Sequence, residues 1–334
     1  MAVIYHDEDA SLEALSGAPV AVIGYGNQGR SQALNLRDSG FEVRVGNIED
    51  DYAAQARADG FEVIGIAEAA DRGRVVLLLL PDEIMPEVYR RDVAPGREEG
   101  DLLDFASGYN VAFGLIEPPP GVDVVMVAPR MIGPGVRDCY ESGEGFPSFV
   151  GVEQDATGQA RERLLALAKG LGSTRSGCIE VSMKDEAALD LFTEQAFGPA
   201  FGQVLRSAVD TLVEAGFPPE AVLMELYLSG EFAYSLEKGR EVGMARQHEF
   251  HSHTSQYGTI TRAPRFFDVG AELSGKMAAI LEEIRSGAFA REWSSDREDK
   301  LALLEKAREA RDQFPLTRWE DQTRKAFRIG DAAE

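Results

Sequence analysis

Along the first half of the chain, short apolar runs alternate with stretches whose apolar residues recur every three or four positions. The runs fall at residues 20–23, 41–45, 75–80, 102–105, 124–127 and 148–152. Each is strand-sized, and helical patterns separate them, which predicts βαβ units and a mostly parallel, doubly wound sheet. Residues 1–18 read as a lead-in segment. Past Val181 the strand pattern stops. Ser182 is placed to cap a helix, and residues 183–215 read as one long helix kinked at Pro199. Further helical patterns cover 219–238, 271–286 and 297–312. The expected organisation is a Rossmann-type α/β domain at 1–182 followed by an all-helical domain at 183–330. No repeat at solenoid spacing and no low-complexity linker interrupts it.

The first strand runs directly into Gly24-Tyr25-Gly26-Asn27-Gln28-Gly29, and residues 31–37 continue as a helix. Strand, glycine turn and helix start together form a dinucleotide-binding fingerprint. The first glycine makes the turn, the second lets the backbone approach a pyrophosphate, and the third lets helix pack on strand. The helix N-terminus faces the anion with unpaired N–H groups and a positive dipole end. Two further strand ends carry polar residues where such folds bind ligands: Pro81-Asp82-Glu83, and Ser107 to Asn110. A third strand ends at Pro129-Arg130 and leads into a loop containing Gly133.

The loop after the second strand, Gly46 to Tyr52, is acidic and has no basic side chain before Arg57. A carboxylate recognises a free ribose 2′-hydroxyl, whereas a 2′-phosphate calls for a basic partner. NADH is therefore the expected cofactor, with NADPH left open. Asn47 and Asp50 are the candidate contacts. The same acids could also simply cap the next helix.

The chain has 334 residues and a formal net charge of −23. That charge opposes general attraction to nucleic acid or an anionic membrane, so a small-molecule partner is expected. No apolar run is long enough to span a bilayer. The polar, acidic start does not read as a signal peptide. Two cysteines, Cys139 and Cys178, provide no disulfide framework and suit the cytoplasm.

Glu186, Asp190 and Glu194 recur every four residues, hence on one helix face. Stacked carboxylates of this kind offer oxygen ligands to Mg²⁺, or form a solvated acidic stripe. Three of the four histidines, His248, His251 and His253, lie beside Ser252. They read either as acid/base or metal-binding groups, or as hydrogen-bonding members of a polar loop.

Several collinear stretches together resemble the ketol-acid reductoisomerases of branched-chain amino acid biosynthesis. They are Ile23 to Gly29 with Ala33 to Gly40, Leu78 to Glu83, Pro86 to Tyr89, Met126 to Pro129, Asp190-Leu191-Phe192 with Glu194-Gln195-Ala196, Leu212 to Gly216, Ser252, Thr254, Tyr257-Gly258 and Gly287 to Trp293. The resemblance is to the shorter class of that family and implies a single knotted helical domain and a homodimer. It implies hydride delivery by the cofactor, and two Mg²⁺ ions that promote an alkyl shift in a 2-hydroxy-3-oxo acid before the ketone is reduced. Metal ligation is carried onto Asp190 and Glu194, with Glu186 in support. Substrate contacts are carried onto Ser252 and its neighbours His251 and His253, and nicotinamide-side contacts onto Asp82 and Glu83.

Departures from the family pattern cluster at the chemistry. Ser107 stands where the family has histidine, and Arg130 where it has lysine. Serine carries no proton near neutral pH, and arginine keeps its charge without releasing a proton. The family's second pair of metal-binding glutamates maps onto Glu225 and Ser229 in one alignment, and onto Tyr227 and Glu231 in the other. Either way one glutamate survives, so the carboxylates provide for one Mg²⁺ rather than a complete pair. The expected activity is an NAD(P)H-dependent oxidoreductase acting on a 2-oxo or imino acid, with the isomerase step lost or altered. The alternatives are a genuine ketol-acid reductoisomerase and a non-catalytic nucleotide-binding relative.

Overall fold

A computed structural model describes residues 2–330 of the chain. The chain divides into two compact units, Met1–Asp190 and Leu191–Glu334.

The first unit is built on one sheet of nine strands among the described residues: β1 Ile4–Tyr5, β2 Val20–Ile23, β3 Val43–Gly46, β4 Glu62–Ile64, β5 Val75–Leu78, β6 Leu102–Phe105, β7 Asp123–Pro129, β8 Ser148–Gln154 and β9 Cys178–Glu180. Their order is β1-β9-β8-β7-β6-β5-β2-β3-β4. The helices between them are α1 Asn27–Asp38, α2 Asp51–Ala58, α3 Ile66–Arg72, α4 Met85–Val88, α5 Tyr109–Ala112, α6 Gly133–Ser142 and α7 Ala160–Leu171. Strand β2 pairs in parallel with both β3 and β5, with Val22 opposite Val45 on one side and Leu77 on the other. The chain moves outward from β2 to β4 and then crosses to β5. That reversal opens a crevice at the carboxyl ends of the strands.

Burial follows the two-residue period of the strands. Val20, Val22, Val75, Leu77 and Leu102 pack on one face with Leu36 and Leu167. Ala21, Ile23, Val76, Leu78 and Leu103 pack on the other with Tyr89 and Val93. Both faces are covered, so these strands read as continuous apolar runs rather than as alternating ones.

The sheet is mostly parallel, with antiparallel pairing of β7 with β8 and of β1 with β9. The lead-in segment is structured: β1 docks on β9, and the Tyr5 hydroxyl donates to Glu180 at 2.6 Å. Strands β1, β4 and β9 have two or three residues each, too few for a period to show. The Ser182 hydroxyl accepts from the Asp185 N–H at 3.0 Å and starts helix α8, Met183–Phe192. The change of pattern at Ser182 thus marks the start of this helix, and the division between the units falls near its end.

The second unit is helical: α9 Gly198–Glu214, α10 Pro219–Leu223, α11 Glu231–Val242, α12 Met244–Gln247, α13 His253–Arg262, α14 Phe267–Arg285, α15 Ala288–Ser294, α16 Arg297–Asp312 and α17 Pro315–Phe327. In the stretch expected as one long helix, a π turn at Thr193–Phe197 precedes Pro199. Pro199 has no N–H to return to the preceding turn, and the wider turn accommodates that loss. The helix expected at 219–238 is broken by a π turn at Met224–Leu228 and by Gly230, whose φ is +86°. One buried cluster of this unit joins Val209, Val222 and Leu223, flanked by Leu316 and Trp319. No helix among the described residues is long and apolar enough to cross a membrane.

Candidate active site

The three glycines of the turn after β2 sit in three different settings. Gly24 has φ +94°, and a Cβ there would lie 2.5 Å from the Leu79 carbonyl oxygen. A Cβ on Gly29 would lie 2.1 Å from the Gly24 carbonyl oxygen, so only glycine lets α1 sit this close to the turn. At Gly26 a Cβ would meet nothing within 4 Å: this backbone faces open space. Gly26 is also the N-cap of α1, with no capping side chain. The first N–H groups of the helix therefore look into a cavity of about 600 Å³, a size that suits a small-molecule cofactor.

Gly24 to Gln28, Asn47, Asp50, Pro81, Asp82 and Ser107 all line this cavity. Three of the expected cofactor residues do not. Gly29 sits behind the turn. A Cβ on Gly133 would lie 2.3 Å from the Asn27 carbonyl oxygen, so Gly133 backs the start of α1. Glu83 lies in the turn beyond Asp82 and is not part of the lining. Asp82 is oriented by Asn110, whose amide donates to it at 3.0 Å. The lining also includes Tyr52 and Arg91, which the sequence patterns did not single out. Tyr52 ends the acidic loop and carries no charge to mark it as a contact. Arg91 sits in a π turn after α4 and has no fingerprint in its neighbourhood.

Asp50 does two things. Its carboxylate accepts from the Ala53 N–H at 2.9 Å, which caps α2, and from the Asn47 amide at 2.8 Å. It also borders the cavity. The neighbouring Glu49 is paired with Arg57, which holds its carboxyl below the usual range.

A second constellation lies beside Ser107. Arg130, at the end of β7, donates to Glu186 at 2.8 Å and to Asp190 at 2.9 Å. Its guanidinium lies 4.7 Å from the centre of the Phe149 ring, a cation–π contact. The Glu186 side chain is fully buried, and its other oxygen accepts from the Gly108 N–H at 2.7 Å. Burial pushes the Glu186 carboxyl up, against the opposite pull of the Gly108 N–H and the Arg130 charge. A Cβ on Gly108 would lie 2.1 Å from the Met183 carbonyl oxygen, so glycine at this turn lets α8 approach. Thus the turn that presents Ser107 to the cavity also anchors the Arg130 cluster through Gly108.

In the helical unit, Glu225 lies in the π turn of residues 224–228 and Glu231 begins α11. Tyr227, at one of the aligned glutamate positions, bonds Glu320 through its hydroxyl. Ser252 caps α13, accepting from the Ser255 N–H at 3.3 Å. The His248 and His251 rings meet edge to face at 5.4 Å, and His251 bonds the Gln247 side chain at 2.8 Å. His253 is exposed.

Residues 14–177 match the family model described as the NADPH-binding domain of acetohydroxy acid isomeroreductase. Residues 183–329 match the C-terminal domain of ketol-acid reductoisomerase. The chain belongs to the ketol-acid reductoisomerase family. A relative from Methanopyrus kandleri, named ketol-acid reductoisomerase (NADP(+)), is 43% identical over 99% of this chain and 100% of its own. The structure of an NADH-preferring ketol-acid reductoisomerase from an uncultured archean superposes with a TM-score of 0.91 at 35% identity, covering 97% of this chain and 98% of that one. An NAD-binding semialdehyde dehydrogenase protein of Cupriavidus necator, at 20% identity and a TM-score of 0.60 over 80% of this chain and 99% of that one, shares the fold. Membership makes the chain an oxidoreductase that uses a nicotinamide cofactor, and the cradle around Gly26 fits that group.

A two-ion reductoisomerase site does not fit as well. Both Glu186 oxygens are engaged, one by Arg130 and one by Gly108. One Asp190 oxygen is held by Arg130. Among the described residues, no group of three or more His, Cys, Asp or Glu side chains is placed to hold a metal ion.

Proposed function

We propose that this protein is a ketol-acid reductoisomerase, converting a 2-hydroxy-3-oxo acid such as 2-acetolactate to a 2,3-dihydroxy acid at the expense of a reduced nicotinamide cofactor. The likeness of the whole chain to relatives that bear this name carries the reading. In this account Gly24 to Gly29 hold the pyrophosphate, and Asp82 and Ser107 lie towards the nicotinamide. Arg130, steered by Glu186 and Asp190, presents positive charge to a substrate oxygen as negative charge develops on it. Mg²⁺ held by Asp190 and Glu194, with Glu225 or Glu231 as an added ligand, would polarise the reacting oxygens when bound. Ser252, with His251 and His253, contacts the substrate.

A second reading, reduction of a 2-oxo or imino acid without alkyl migration, is favoured by the residues at positions 107 and 130. Neither can trade a proton near neutral pH. Two substrates separate the readings. The migrating enzyme reduces both 2-acetolactate and the already rearranged 3-hydroxy-2-oxo acid. An enzyme that only reduces acts on the rearranged acid and leaves 2-acetolactate untouched.

NADH is the preferred cofactor, because Asp50 at the cavity edge opposes a 2′-phosphate. The partner is a second copy of the chain. Phe201, Phe232, Phe266 and Phe267 are exposed in the single chain, and a partner surface would remove these rings from water. A groove of about 890 Å³ along α9 and α14, lined by Val204, Leu273 and Ile280 among others, lies on the same unit. The two free cysteines suit a reducing compartment such as the cytoplasm.

A further inference from the structure

We infer that the Arg130 guanidinium takes the place of one of the two divalent ions, as a cation built into the protein, so that the chain binds no more than one divalent ion. The inference rests on the reading that Asp190 belongs to the substrate-activating site. Three observations carry it. First, Arg130 occupies carboxylate oxygens that an ion would need: Glu186 at 2.8 Å and Asp190 at 2.9 Å. Second, the guanidinium is held as well as bound. It lies over the Phe149 ring at 4.7 Å, its Nε donates to the Ala128 carbonyl at 3.3 Å, and Glu186 is itself fixed by the Gly108 N–H. Third, the cation is still available. A guanidinium has five N–H donors and three are engaged, which leaves two for a substrate oxygen, and the Arg130 side chain is 25% exposed.

The charge balance agrees. Glu186 and Asp190 together carry −2, and Arg130 returns +1, so the cluster needs less added positive charge than bare carboxylates would. A lysine in this position is a point charge on a flexible stem. It would not span both carboxylates in a fixed plane as the arginine fork does. The bridge and the fixed plane are what allow an arginine, and not a lysine, to substitute for an ion.

The test counts ions rather than turnover. The full-length protein, loaded with NADH, is titrated with Mn²⁺, and free ion is followed by electron paramagnetic resonance. The expected result is at most one bound ion per chain. Arg130→Met, which keeps much of the side-chain length without the charge, should then bind Mn²⁺ about tenfold more tightly or take up a second ion, because Asp190 and Glu186 lose their charged partner. Should that variant fail to fold, Arg130→Lys gives the same readout, since a lysine releases at least one carboxylate and Mn²⁺ binding should tighten. Two ions in the wild-type protein, or Mn²⁺ binding unchanged in the folded variant, would overturn the inference. Turnover of 2-acetolactate is measured separately. A protein that turns it over with two ions bound refutes this inference alone, and one that binds a single ion without turning it over refutes the proposed reaction alone.

Discussion

Gly29 leaves the cradle no slack, since any Cβ would come within 2.1 Å of the Gly24 carbonyl oxygen and push α1 off the turn. Gly29→Ala should weaken NADH binding more than tenfold in a fluorescence titration; unchanged affinity would place the cofactor elsewhere. Asp104 poses a different question at the same scale. It is fully buried on β6, one oxygen accepts from the Val127 N–H at 2.9 Å, and burial raises its carboxyl well above the ordinary range. Its folded pKa thus lies above its unfolded one. The stability it contributes is fully present below about pH 4 and is lost as pH rises through the raised value. Asp104→Asn keeps the acceptor and removes the titration. The thermal stability of the variant should gain on the wild type as pH rises from 4 to 8, by at most about 1.4 kcal/mol per pH unit. A difference that does not vary with pH would contradict this. Little of this was legible beforehand. A lone acid in an apolar run carries no sequence signal, and Arg130 and Glu186 are joined across 56 positions.

The elements were legible where the pattern was long enough to repeat. Strand β2 and helix α16 fall where the apolar periods place them. Helix α13 was not read because Gly258 and polar residues interrupt its stripe, and the three π turns are invisible to a test that assumes 3.6 residues per turn. The loop between β3 and α2 was readable in composition but not in geometry, because the same Asp50 both caps a helix and borders the cavity. Asp50→Asn separates these roles, since asparagine caps as well as aspartate. The variant should unfold at the wild-type temperature and bind NADPH several-fold more tightly, with the NADH affinity little changed. If NADPH affinity does not move, cofactor choice lies in other residues, with Tyr52 and Arg91 next to be tested.

For the whole molecule, the family resemblance identified what local patterns could not, because it rests on collinear stretches along nearly the whole chain. The proposed partner, a second copy of the chain, would cover the exposed aromatic rings of the helical unit. Sedimentation equilibrium should give twice the 36.4 kDa chain mass at micromolar concentration, and a monomer would contradict the proposed assembly. The proposed reaction delivers hydride to a ketol acid after rearranging it. Its most direct test uses NADH carrying deuterium at the transferable position, with 2-acetolactate as substrate and mass spectrometry of the product. The expected product is a 2,3-dihydroxy acid with one deuterium on the carbon next to the carboxylate. Unlabelled product, or no product from 2-acetolactate, would contradict it.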